Sequence, residues 1–268
     1  MPTREETSRN IVSLLEHFKY PEAFMPKTAW LGIYQSLMWY EMKVDYPSQK
    51  YLHIIDADKL LGTSNRSGSK TWQERARAVE KYLSQNLNIP IEDLPEKVDR
   101  LFQIPEYKGL QRQNPLGIGF AEAIWYLLKI FRGKEITWER ETDAEQIFPG
   151  IHLPGRSTKP RIDILGTING QPRVIISCKW SMRHDRINEI TNECPIYKAA
   201  AFRSRTHLKF FVCSNEFDPA RLDKVLNDDC VDGLIHVHKP CLTEICGLDH
   251  RLKSLHDLSE LLTVLPIL

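Results

Sequence analysis

Apolar positions fall into two regimes along the chain. From residue 1 to about 105 they recur at helical spacing: Thr7-Ser8 precedes Ile11, Leu14, Leu15 and Phe18, and Ala29 to Met42 is a second candidate helix. Thr71-Trp72-Gln73-Glu74 reads as a capping box opening a helix to about Gln85, because a Thr at the cap and a Glu three residues on satisfy each other's backbone N–H groups. Gly62 to Ser69 is a polar loop, and prolines at 90, 95 and 105 mark the exit from this region.

From about Pro115 the period changes. Gly117 to Phe131 predicts a strongly apolar helix, and Glu135 to Glu141 alternates around Ile136 and Trp138 as a strand does. Arg161 to Ile168 and Arg173 to Lys179 are β-rich runs on either side of Asn169-Gly170, a dipeptide that favours hairpin turns. A helix is expected from about Asp185, a strand over Leu208 to Cys213, a helix over Pro219 to Asn227, a strand over Leu234 to His238, and a final helix within Leu252 to Leu265. Strands interleaved with helices predict an α/β fold with a mixed sheet flanked by helices. The chain divides accordingly into a helical region, 1–105, and a sheet-bearing domain, 106–268.

Composition adds little until it is read locally. The 268 residues, 42% hydrophobic and 26% charged, are ordinary for a globular protein. The polar start Met1 to Glu6 and the lack of a long apolar run predict no signal peptide, no membrane span and a cytoplasmic location. The net charge of +1 conceals a gradient: Arg156 to Phe211 holds eleven basic and four acidic residues, hence +7, leaving −6 elsewhere. A local positive field on a neutral protein fits a phosphate-backbone partner. The six cysteines form no C-x-x-C pair, and neither Cys241, Cys246 and His250 nor His236 and His238 have the spacing of a zinc site. Neither a structural metal nor a disulfide is expected.

The hairpin carries the chemistry. Side chains alternate across a strand, so Ser177 and Lys179 share a face. Asp163 on the neighbouring strand supplies the oxygen ligand that a hard divalent cation needs, and an ammonium at Lys179 can orient an attacking water and offset charge on a phosphate. Register tests this reading. A strict two-residue Asn169-Gly170 turn sets Asp163 opposite Ile176, on the wrong face. A loop with one extra residue, Gly170 being left-handed in a bulge, sets it opposite Ser177. The bulged loop is therefore predicted.

Asp163, Ser177-x-Lys179 and the following Trp180-Ser181-Met182-Arg183-His184-Asp185-Arg186 resemble the PD-(D/E)xK nuclease core in its CCGG-specific type II restriction endonuclease form. In that family a serine occupies the usual second acidic position, and the displaced carboxylate comes from a glutamate on the next helix. Glu193, fourteen residues past Lys179, falls where the family places it. Glu189, one turn earlier, competes, and spacing favours Glu193. The family's Arg-x-Asp-Arg element matches Arg183, Asp185 and Arg186 residue by residue.

The resemblance implies a restriction-endonuclease-like fold, and Mg²⁺ held by Asp163 and Glu193. It also implies hydrolysis of double-stranded DNA at a palindrome with a CCGG core, cut before the first cytosine to leave 5′ overhangs. Base chemistry agrees. Guanine shows two acceptors in the major groove, matching the arginines, and cytosine a donor, matching the carboxylate of Asp185. A palindrome calls for a homodimer or a higher oligomer, with the 1–105 region as a dimer or DNA contact. The family also carries an extra glutamate ahead of the core that assists a metal site. Glu122, the only acid in its helix, is the candidate, against a solvent-facing glutamate paired with lysine.

Two departures stand out. Pro160 lies three positions before Asp163 rather than beside it, and Pro195 follows Glu193 closely enough to kink or restart the helix. Two other readings compete: a structure-specific repair or recombination nuclease, which needs no base code, and a non-catalytic DNA-binding protein on a nuclease fold.

Overall fold

The computed structural model describes residues 25–30, 33, 85, 115–134, 136–154, 160–180, 182, 184–246 and 254–266. The helices expected before residue 105, the capping box at Thr71 and the polar loop at Gly62 therefore fall outside the described residues, apart from a short 3-10 turn, Pro26–Thr28, and helical residues Ala29, Trp30, Ile33 and Gln85.

The described chain is an α/β unit built on one six-stranded mixed sheet in sequential order. Strands β1 (Thr137–Asp143), β2 (Arg161–Ile168) and β3 (Gln171–Lys179) form an antiparallel meander. Strands β4 (Lys209–Ser214), β5 (Gly233–His236) and β6 (Leu255–Asp257) continue from β3 in parallel. Parallel neighbours need crossovers, and helices supply them: α3 (His184–Arg203) joins β3 to β4, α4 (Pro219–Leu226) joins β4 to β5, and α5 (Lys239–Cys246) lies between β5 and β6. Helices α1 (Pro115–Arg132) and α2 (Ala144–Ile147) flank β1, and α6 (Leu258–Leu261) follows β6.

The burial pattern explains the layers. β5 is buried at every position and β4 from Phe210 to Ser214, as expected of parallel strands covered on both faces. Helix α1 buries Phe120, Ile124, Leu127 and Leu128, spaced for one helical face, and packs against β1, β2 and β3. The Trp125 indole donates to the Trp138 carbonyl at 3.1 Å, and Phe120 meets Trp180 edge-on. At the end of α1, buried Arg132 donates to the carbonyls of Leu261 and Leu265 at 3.2 and 2.9 Å, tying the helix to the last described segment. On the opposite face, Tyr197 of α3 stacks with Phe210, which is level with Ile175 in the sheet.

The hairpin departs from the sequence reading in an instructive way. Asn169 (φ 50°) and Gly170 (φ 73°) are both left-handed and Ile168 pairs with Gln171, so the turn is the strict two-residue form and not the bulged loop. The extra residue sits further in: Thr167 pairs with Pro172 but Gly166 pairs with Val174, leaving Arg173 as a bulge on β3. Proline cannot donate to the ladder and is placed at edges or bulges for that reason. Beyond the bulge Ile164 pairs with Ile176, and the same register carried one step further sets Asp163 opposite Ser177.

Other boundaries moved. α3 runs uninterrupted through Pro195, whose ring is on the exposed side of the helix, so the expected restart does not occur. The final helix expected within Leu252–Leu265 is present as the short α6, and the strand β6 just before it was not anticipated. Asp257 and Glu260 form a capping box there, a signal present in the sequence as Asp-Leu-Ser-Glu. β5 ends at His236, and α5 was not anticipated. The structure also joins Cys194 of α3 to Cys230 in a disulfide, against expectation; residues 36 apart in sequence meet because the loop after α4 folds back onto α3. Cys178, Cys213 and Cys241 are free and buried, and burial pushes each thiol up, out of reach of reaction or metal binding at neutral pH. Among the described residues no helix is long and apolar enough to cross a membrane.

Candidate active site

Asp163, Ser177 and Lys179 meet on the α3 face of the sheet, because the Arg173 bulge brings β2 and β3 into the register that sequence reasoning required. Three donors converge on one oxygen, Asp163 Oδ2: the Lys179 ammonium at 2.9 Å, the Cys178 backbone N–H at 2.9 Å and the Ser177 hydroxyl at 3.4 Å. The pair is partly buried, with side-chain exposures of 13% for Lys179 and 23% for Asp163. Such a charge-assisted contact, shielded but open at one side, is stronger than a surface ion pair.

Electrostatics fix the protonation state. Burial draws the Lys179 pKa down, but the charge and hydrogen bond of Asp163, with Glu189 and Glu193 adding, outweigh it and hold the ammonium above its ordinary value. Lys179 therefore stays charged at neutral pH. It is suited to orienting a nucleophile and stabilising phosphate charge, and unsuited to taking a proton.

Glu193 lines the same small pocket as Asp163, Ser177, Lys179, Arg161 and Tyr197. Its competitor, Glu189, is engaged elsewhere: the Arg186 guanidinium donates from Nη1 to both Glu189 oxygens, at 2.8 and 3.0 Å. Of these two carboxylates it is Glu193 that lines the pocket, while both add to the field that holds Lys179 charged. The site offers oxygen donors from two carboxylates, which is the complement Mg²⁺ takes when water fills its remaining positions. Among the described residues no larger group of His, Cys, Asp and Glu forms a metal cage.

Glu122 does not join this cluster. It is buried, with 2% exposure, and its carboxylate is paired with Arg140 of β1. Arg140 is level with Ile164 and packs over the Trp125 ring, so this pair belongs to the α1 face of the sheet, opposite Asp163. Neither sequence reading of Glu122 holds: it is not at the candidate metal site and it is not a solvent-facing partner of lysine. On the strand that carries Arg140, the last residue, Asp143, serves as a helix cap for α2, accepting from the Glu145 N–H at 3.0 Å.

Asp185 and Arg186 occupy the first turn of α3, immediately after the strand that carries Lys179. Asp185 is exposed and Arg186 is a third exposed, with Asp185 Oδ2 at 3.8 Å from Arg186 Nε. Arg183 lies outside the described residues.

Sequence reasoning missed Glu216. It is fully buried just past β4, where it accepts from the Met182 N–H at 2.8 Å. The available signal was the polar run Ser214-Asn215-Glu216 directly after the apolar strand Phe210–Cys213, at the carboxyl end of a parallel strand where α/β proteins place their sites. No protein-family model matches the chain, and no curated protein or solved structure matches it significantly.

Proposed function

We propose that this protein is a Mg²⁺-dependent endonuclease of the PD-(D/E)xK type that cuts double-stranded DNA at a palindromic site with a CCGG core. The observation that carries the reading is the convergence of Asp163, Ser177, Lys179 and Glu193 on one pocket, with Asp185 and Arg186 at the start of the next helix. A hairpin acid and lysine alone would fit many hydrolases. The addition of charged, groove-sized chemistry within a few residues of the lysine is what favours DNA and a base-specific cut.

Asp163 and Glu193 would hold the ion, which when bound supplies positive charge at the scissile phosphate and acidifies a water. Lys179 orients the attacking water and neutralises charge building on the phosphate. Ser177 and the Cys178 N–H fix Asp163 so that its carboxylate does not rotate away from the pocket. Arg186 and Asp185, with Arg183, read guanines and cytosines, which places specificity and chemistry on consecutive elements. Cleavage before the first cytosine, 5′ overhangs and a homodimeric or higher assembly complete the proposal.

Incubation of the protein with plasmid DNA and Mg²⁺ tests it. Discrete fragments whose sequenced ends map to CCGG are expected, and Asp163→Ala should bind a CCGG duplex without cutting it. An uncut plasmid at high enzyme, or cutting of branched DNA without base preference, would replace this reading with one of the two alternatives.

A further inference from the structure

Glu216 is a carboxylate with no exposure, and burying a charge is costly unless every lone pair is used. Here each oxygen takes two donors. Oε2 accepts from Met182 N–H at 2.8 Å and Arg221 Nη1 at 3.2 Å, while Oε1 accepts from Phe217 N–H at 3.1 Å and Asp218 N–H at 2.9 Å. Its own N–H donates to Ser214 Oγ at 3.2 Å, and the next residue back, Asn215, donates its N–H to the Trp180 carbonyl at 3.1 Å. Ser214 itself is the sheet partner of Lys179.

These contacts share a target. Trp180 and Met182 lie between Lys179, the last residue of β3, and α3, which begins at His184. This short link decides how far and at what angle Asp185 and Arg186 stand from Asp163 and Lys179. Met182 is held on both sides: its side chain is buried in the core and its N–H is bonded to Glu216. Errors of about 1 Å in such a link can cost on the order of a hundredfold in rate.

We propose that Glu216 is a positioning residue that locks the base-reading start of α3 to the catalytic strand, so that correct base contacts and correct catalytic geometry occur together. The inference rests on the endonuclease reading above and names what enforces its specificity. Glu216 lines no part of the pocket and touches no metal ligand. Its loss should therefore alter discrimination between sites, and not the affinity of the site for Mg²⁺.

Glu216→Gln tests this, because an amide NH₂ at either oxygen position faces two donors and loses both bonds. The assay compares kcat/KM on a CCGG duplex and on duplexes with one base pair of that core replaced, together with Mg²⁺ half-saturation and thermal unfolding. The expected result is at least a tenfold fall in the ratio between cognate and substituted duplexes, a raised KM on the cognate duplex, and unchanged Mg²⁺ half-saturation. A variant that loses thermal stability and overall activity yet keeps the wild-type ratio would make Glu216 a support of the fold only, and the inference would be wrong.

Should Glu216→Gln fail to fold, Arg221→Met decides. It removes only the partly exposed donor, leaves Glu216 three backbone partners, and is expected to lower the ratio in the same direction by a smaller factor; an unchanged ratio overturns the proposal. If wild-type protein cuts no DNA, or cuts it without base preference, the endonuclease reading fails before any variant is compared.

Discussion

Mild acid should weaken this fold through two buried histidines. His236 is fully buried on β5, and burial lowers its pKa from 6.5 to about 3. His238 is stacked on Trp30 at 3.8 Å, and burial lowers its pKa to about 4 despite Asp257 nearby. Both folded-state values lie below the unfolded one, so on acidification the unfolded chain takes up protons that the folded chain refuses. Stability is complete above pH 6.5 and falls as pH drops towards 4 and 3. At pH 5 each histidine costs about 2 kcal/mol relative to pH 7.5, since one pKa unit is about 1.4 kcal/mol and the unfolded histidine is about 1.5 units above the solution pH. Together they remove about 4 kcal/mol, a large share of the ~5–15 kcal/mol that a domain possesses. Glu216, raised mainly by burial, acts in the opposite direction but is common to every variant. Urea unfolding at pH 7.5 and 5.0 measures the effect. His236→Asn keeps an acceptor for the His238 N–H, which His236 Nδ1 now accepts at 3.0 Å, and should halve the acid-dependent loss. His236→Asn with His238→Gln should remove most of it. An acid loss in the double variant equal to that of the wild type would refute the assignment.

Three shorter predictions follow from packing and covalent structure. Cys194→Ser opens a loop of 36 residues and should cost about 4 kcal/mol by loop entropy; the wild type should lose the same amount in reductant, and equal melting midpoints with and without reductant would contradict it. Gly166→Ala places a methyl 2.5 Å from Val174 Cγ1 and 2.8 Å from the Trp138 ring, and should destabilise the sheet by about 1–3 kcal/mol in denaturant titrations. Deleting Arg173 should remove the bulge, rotate Ser177 and Lys179 off the Asp163 face and abolish the proposed cleavage of a CCGG duplex, whereas Arg173→Ala keeps the bulge and should retain it.

Period and turn chemistry made much of the described fold legible. α1, β2, the start of α3, β4 and α4 fall close to their sequence boundaries because each has an apolar face of one period and a sharp stop. The misses share a cause: they depend on contacts distant in sequence. β6 is three residues long and exists because β5 pairs with it, Leu234 to Leu255 and His236 to Asp257. The Cys194–Cys230 bond depends on where the loop after α4 lands. Pro195 reads as a helix breaker from local rules alone, but α3 is anchored on both sides of it by buried Ile190, Cys194, Tyr197 and Ala201, and packing outweighs one lost hydrogen bond.

The candidate site was legible to a different depth for each residue. Asp163, Ser177 and Lys179 needed only strand alternation and one register shift, and the sequence demanded that shift without locating it. Asn169-Gly170 is a good enough two-residue turn that the extra residue could not sit there. It was displaced to Arg173, next to the proline that cannot complete the ladder. Glu193 was named from the resemblance, which puts a displaced glutamate at that distance from the lysine, and it reaches the pocket because α3 starts within a few residues of the strand. Glu122 failed because helix periodicity tells which residues share a face, but not which face of a sheet that helix will cover. Its pairing with Arg140 follows from α1 packing on the far side. Glu216 was invisible for a related reason. A buried carboxylate is intelligible only through its donors, and two of its four, Met182 and Arg221, belong to elements that the sequence alone does not bring together.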